Sequence, residues 1–165
     1  GTQLADNAAA SEMARLLFPG AFVTPNIPEA EFFLQQKLSS FKASHEMAFN
    51  FLMKYKCHGV LLKGGHAPAS DECSDYFAEI KNGQQVEVTE GIYPRVPGIS
   101  CHGTGCALST AFACYLVMGL SPEMAARNAQ ALVATMISQT RQAGFSGENA
   151  PLLGWFLQTK KSKKR

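Results

Sequence analysis

The sequence predicts an α/β fold: a mostly parallel sheet with helices on both faces. Three observations carry that reading. Residues 21–24 and 58–62 are short apolar runs without polar alternation, as in strands buried on both sides. Each run stops at a breaker, Pro25 for the first and Gly64-Gly65 for the second. Helical patterns lie between them, and strands alternating with helices make parallel sheets.

The elements follow in order. Residues 8–18 read as a helix with Met13, Leu16 and Leu17 on one face, ended by Pro19 and Gly20. After the first strand comes the loop Pro25-Asn26-Ile27-Pro28, and Glu29 opens the next helix. Ser44 is a capping residue for a further helix to Tyr55, with Met47, Phe51 and Leu52 facing inward. The second strand breaks at Lys63-Gly64-Gly65. Residues 76–89 read as a β-hairpin about Asn82-Gly83. A long apolar helix follows Gly103-Thr104-Gly105-Cys106, and Ser121 with Pro122 starts another that runs to about Gln142. Residues 144–151 read as a loop and residues 151–157 as a last helical turn.

Composition bounds the function. The chain of 165 residues has the length of one domain, and 46% hydrophobic with 17% charged residues excludes a disordered polymer. No apolar run approaches the ~18 residues of a transmembrane helix, and the first residues lack the features of a secretory signal. The net charge of +2 comes from the end of the chain, where Lys160, Lys161, Lys163, Lys164 and Arg165 form a basic tail. The remainder carries 10 basic and 13 acidic residues, which offers no general attraction to nucleic acid. The five cysteines are odd in number and contain no CxxC pair, so free thiols, a reducing compartment and a cytoplasmic location are expected.

Three segments could carry chemistry. Gly103-Thr104-Gly105-Cys106 opens a helix, so its backbone N–H groups and the positive end of the helix dipole suit an anion such as phosphate. A cysteine there has a stabilised thiolate and can act as a base or nucleophile. The plainer account is a tight turn that packs the helix on the sheet. Lys63, before two glycines at a strand end, could place a point charge on a phosphate or be an ordinary strand-end lysine. Asn26 and Glu29 could share a magnesium ion or water, or form a capping box three residues apart. Asp71, Glu72 and Asp75 form an acidic loop before the hairpin, and the first two read as solvated surface. His66 and His102 read as loop hydrogen-bonding residues rather than metal ligands. Cys101 and Cys106 could form a redox pair, which nothing else supports. Neither a Walker motif nor GxGxxG after a strand is present.

Residues 23–30, 59–66 and 102–106 resemble, in this order, three strand-end motifs of the hydroxymethylpyrimidine/phosphomethylpyrimidine kinases of thiamine biosynthesis, members of the ribokinase-like superfamily. Most ribokinase-like sugar kinases carry an aspartate where this chain has Cys106, and the pyrimidine kinases carry cysteine. The resemblance implies ATP-dependent phosphorylation of the hydroxymethyl group of 4-amino-5-hydroxymethyl-2-methylpyrimidine or its monophosphate, with Mg2+. The alternatives are a pyridoxal kinase-like activity or a non-catalytic nucleotide-binding remnant. It implies that Gly103, Thr104, Gly105 and Cys106 form an anion hole, with Cys106 the base. It further implies that Lys63, Thr24 and Asn26 serve ATP, that Asn26 and Glu29 position magnesium and its waters, and that Asp75 and His66 are further candidates. Residues 1–157 are then the C-terminal portion of one kinase domain and residues 158–165 a tail. The N-terminal half, which holds most pyrimidine-binding residues in the family, is expected on another chain or in sequence outside this one. A homodimer is expected by analogy.

Overall fold

The computed structural model describes residues 6–40, 43–65, 71–83 and 85–152. The expectations for His66, for a helical turn beyond residue 152 and for the basic tail lie outside the described residues. The chain divides into two compact units between Ile92 and Tyr93.

The first unit begins with α1 (Asn7–Leu17), capped by Asp6, whose Oδ1 accepts a hydrogen bond from the Ala9 N–H at 2.7 Å. The face of α1 differs from expectation. Ala10, Ala14 and Phe18 are buried at successive fourth positions, while Met13, Leu16 and Leu17 are exposed. Two alanines let the helix backbone approach its neighbours closely, and the larger side chains turn outward.

The strand β1 (Phe22–Val23) leads into α2 (Ile27–Leu34), and α3 (Ser44–Tyr55) precedes β2 (Gly59–Leu62). Helix α2 starts two residues before Glu29, because Asn26 caps it and Pro28 sits in its first turn, where a missing N–H costs nothing. Ser44 does not cap α3. Ala43 holds that position without a side-chain bond, and Ser44 is the first helical residue, fully buried, its hydroxyl without a hydrogen-bond partner among the described residues. Met47, Phe51 and Leu52 face inward as expected.

The hairpin pairs β3 (Glu72–Lys81) with β4 (Gln85–Pro94), longer at both ends than the sequence predicts. Asn82 and Gly83 turn it with φ of 53° and 76°, the positive pair that a tight hairpin turn requires. The sheet order is β1-β2-β3-β4. β1 and β2 run parallel in the register Phe22↔Gly59, and β3 joins antiparallel with Leu62↔Tyr76. Helix α3 packs against β2 and β3, and the core includes Phe18, Ala30, Phe51, Leu52, Val60 and Leu62.

The second unit contains β5 (Ile99–His102), α4 (Thr104–Val117), α5 (Pro122–Gln142) and β6 (Gly147–Pro151). Ser121 caps α5 as expected, accepting from the Met124 N–H at 3.4 Å, with Pro122 as its first residue. The two strands were not legible as strands. β6 falls where a loop is expected, and its sequence Gly-Glu-Asn-Ala-Pro holds no strand-favouring residue. Only its parallel pairing with β5, Cys101↔Ala150 and His102↔Pro151, makes it one. Helices α4 and α5 pack on each other. No helix among the described residues is long and apolar enough to cross a membrane.

Candidate functional site

In the first unit, the site residues collect where the parallel strands end. Beyond the last paired residues of β1 and β2 the two chains stay together: Asn26 bridges to Lys63, and the Lys63 N–H donates to the Pro25 carbonyl at 2.9 Å. Thr24, Asn26 and Lys63 thus lie at the carboxyl ends of neighbouring parallel strands, the position at which open α/β sheets take ligands. Lys63 is half-buried, and its ammonium makes no ion pair or hydrogen bond among the described residues.

Asn26 and Glu29 form a full capping box. Asn26 Oδ1 accepts from the Glu29 N–H at 2.8 Å, and Glu29 Oε2 accepts from the Asn26 N–H at 2.7 Å. The box fixes both side chains and leaves Glu29 exposed, with only Oε2 engaged in the two bonds of the pair. No group of three potential metal ligands occurs among the described residues. Magnesium needs no such cage, since it is commonly held by one or two carboxylates with waters and substrate phosphates. One carboxylate, that of Glu29 in the first turn of α2, fits that mode.

Asp75 is not in a loop. It lies within β3, buried, and its Oδ1 accepts from the Gly64 N–H at 2.7 Å. Gly64 approaches β3 so closely that a Cβ would sit 1.8 Å from the Ser74 carbonyl oxygen. Gly64→Ala must therefore push two strand ends apart. It is expected to destabilise the protein by about 1–3 kcal/mol, as overpacking does. Denaturant unfolding measures this, and a midpoint equal to that of the parent would show that the strand ends yield freely. Asp71 and Glu72 are exposed, as expected. The hairpin reading missed the role of Asp75 because it began the strand at Tyr76, four residues after the start of β3 and just past Asp75. The available signal was the Lys63-Gly64-Gly65 turn, which needs an acceptor for its buried N–H groups.

In the second unit, β5 delivers the chain to Gly103, the N-cap of α4, at φ 85° and ψ 1°. Only glycine takes that conformation without strain. No side chain caps the helix, and the first backbone bond inside it runs from the Ala107 N–H to the Gly103 carbonyl at 2.9 Å. The N–H groups of Thr104, Gly105 and Cys106 therefore have no acceptor among the described residues, and they stand at the positive end of a helix of 14 residues. Cys106 is exposed in that first turn. The Ser109 hydroxyl bonds back to the Gly105 carbonyl at 2.9 Å, steadying the turn from within. Cys101 is half-buried where Cys106 is exposed. Partial burial pushes its thiol above the ordinary value, offset in part by a hydrogen bond with Thr140. A redox pair needs accessible, stabilised thiolates, so this environment speaks against one. All five cysteines are free thiols.

Comparison with known proteins gives these arrangements a family. A thiamine biosynthesis bifunctional protein ThiED from Geobacter sulfurreducens is 37% identical over 120 residues, covering 72% of this chain and 23% of that protein. A hydroxymethylpyrimidine/phosphomethylpyrimidine kinase from Staphylococcus aureus is 30% identical over 145 residues, covering 87% of this chain and 51% of that protein. The chain thus spans about a quarter to a half of the length of these relatives. A crystal structure of a pyridoxal kinase from Staphylococcus aureus, in complex with AMP-PCP and pyridoxal, superposes with a TM-score of 0.69 at 28% identity, covering 82% of this chain and 49% of that one. The ribokinase-like fold expected from the three motifs is the fold of this neighbour. The phosphomethylpyrimidine kinase family model matches residues 1–151, so the chain belongs to the phosphomethylpyrimidine kinase family.

Proposed function

We infer that this chain supplies the phosphate-handling part of an ATP-dependent kinase, which phosphorylates the hydroxymethyl group of 4-amino-5-hydroxymethyl-2-methylpyrimidine or its monophosphate. The observation that carries the reading is the uncapped start of α4, with Cys106 in its first turn. Phosphoryl transfer asks mainly for positioned charge and donors. The N–H groups of Thr104, Gly105 and Cys106 would hold the oxygens of the phosphoryl group. The Cys106 thiolate would take the proton of the attacking hydroxyl, as a carboxylate does in related chemistry. Lys63 would set its ammonium on the ATP phosphates, with Thr24 and Asn26 beside the nucleotide. Glu29 would offer a carboxylate oxygen to magnesium, which neutralises phosphate charge when bound. Cofactor and substrate are thus ATP with Mg2+ and a small alcohol. The neighbouring pyridoxal kinase structure, bound to an ATP analogue and pyridoxal, supports nucleotide use and keeps pyridoxal as the second substrate to assay.

The first test is thermal unfolding of the chain with Mg-ATP. Ligand at a hundred times its dissociation constant should add ~2.7 kcal/mol. For a domain of this size that is roughly 5–10 °C. A cooperative melt with no shift would overturn nucleotide binding by this chain. Turnover with the pyrimidine alcohol and with pyridoxal, followed as ADP release, then separates the two substrates.

A further inference from the structure

We propose that Asp75 is a positioning residue: by holding the Lys63-Gly64-Gly65 turn, it aims the Lys63 ammonium at the phosphates of ATP. The inference rests on the nucleotide role of Lys63 given above. Carboxylates are rarely buried unless something needs them there. Asp75 is 7% exposed, and its Oδ1 takes the Gly64 N–H at 2.7 Å, the short distance of a charge-assisted bond. The register of β2 and β3 explains the meeting. Leu62 pairs with Tyr76, and one antiparallel step beyond brings Asp75 alongside the chain leaving Lys63.

The backbone at Lys63 is therefore fixed from both sides. Its own N–H is held by the Pro25 carbonyl at 2.9 Å, on the β1 side. The next N–H, that of Gly64, is held by Asp75 on the β3 side, and the Ser74 carbonyl blocks any side chain there. Between these two anchors, the Lys63 side chain leaves half-buried and without an ion pair among the described residues. A cation so placed, on so fixed a stem, is preorganised for an anion that is not part of the protein. The bond also says what the turn does not do. The Gly64 N–H is spent on a carboxylate, so the backbone here is no nest for phosphate, and a negative group behind it would repel one. At this turn, the positive charge offered to the nucleotide is that of the lysine side chain.

Mg-ATP affinity, measured by titration calorimetry on the full chain, tests this with the variants Lys63→Ala, Asp75→Ala and the double variant. Asp75→Ala is expected to weaken binding about tenfold in the parent, the scale of coupling between neighbouring residues. In the Lys63→Ala background the same change should cost less than about twofold, because no ammonium remains to be aimed. A merely structural Asp75 would lower affinity by the same factor in both backgrounds, and that outcome overturns the proposal. Asp75→Asn keeps an acceptor for the Gly64 N–H and should recover part of the affinity. Where Asp75→Ala does not melt cooperatively, Asp75→Glu replaces it in the cycle: charge stays, but the longer side chain displaces the turn, and the loss should again vanish without Lys63. A parent chain that binds no Mg-ATP, or a Lys63→Ala variant that binds it as the parent does, overturns the nucleotide role of Lys63 and this inference with it. A parent that binds through Lys63, with Asp75 variants unchanged, overturns this inference alone.

Discussion

Cys106→Ala is expected to abolish most turnover, by about 10²–10⁴-fold, while leaving Mg-ATP affinity close to that of the parent. The two halves of this expectation have separate causes. The anion-holding groups at the start of α4 are backbone N–H groups, and alanine keeps its own. What alanine lacks is a group that can take a proton from the attacking hydroxyl. Cys106 is exposed in the first helical turn, where the dipole favours an anion and a substrate can reach the sulfur. Cys106→Ser should fare little better, because a serine hydroxyl is a poor base unless another base assists it. Cys106→Asp should retain measurable turnover, since a carboxylate in that place is a competent base. The assay is ADP release with saturating pyrimidine alcohol, on the form of the protein that turns over, beside a binding titration of each variant. Full turnover by Cys106→Ala would remove the base assignment. Equal loss of binding and turnover would instead place the cysteine in the nucleotide pocket alone.

The loops were more legible in the sequence than the strands. Gly103-Thr104-Gly105-Cys106 could be read as a helix start because its requirement is local: a residue with φ of 85° must be glycine, and the N–H groups after it are free by construction. Asn82-Gly83 and Ser121-Pro122 were legible for the same reason, each being decided by a few neighbouring residues. The capping box of Asn26 and Glu29 was legible as one of two readings, and three-residue spacing cannot say whether a carboxylate also meets a metal. What stayed hidden is what distant residues decide. β6 is a strand only because β5 lies beside it. Ser44 leaves the cap position because the core around Met47 and Phe51 takes it in. The inward face of α1 is written in alanines, which a hydrophobicity pattern weights less than Met13, Leu16 and Leu17. Asp75 stood apart from Asp71 and Glu72 only as a further candidate, and the register of β3 against β2 is what shows its partner. The candidate residues could be picked out because ligand sites in such folds sit at strand ends and helix starts, where local signals are strongest. Asp75 was named only as a further candidate, and its bond to the Gly64 N–H stayed hidden because the two residues are 11 positions apart.

Phe51→Ala is expected to cost about 3–5 kcal/mol of stability. Phe51 has no exposed surface. Its ring lies 4.9 Å from that of Tyr55, 5.7 Å from Phe18 and 6.2 Å from Phe33, in tilted and edge-on arrangements. Those partners also meet one another, Phe18 with Phe33 at 5.1 Å and with Tyr55 at 5.3 Å, edge to face. The Tyr55 hydroxyl donates to the Phe33 carbonyl at 2.6 Å, closing the cluster with a polar bond. Phe18 ends α1, Phe33 lies in α2, and Phe51 and Tyr55 lie in α3, so one ring cluster ties three helices together. Removing its centre leaves a cavity that the surrounding rings cannot fill without breaking their edge contacts. A domain has only about 5–15 kcal/mol in hand, so this loss takes a large share. It should also reach function, since α2 begins with the Asn26–Glu29 box and α3 packs against β2, which leads directly into Lys63. Phe51→Leu keeps most of the volume and should lose clearly less. Urea unfolding of both variants measures the difference. A Phe51→Ala midpoint that implies less than about 1 kcal/mol would mean that the site closes around the missing ring, and the cluster would not be what holds these helices on the sheet.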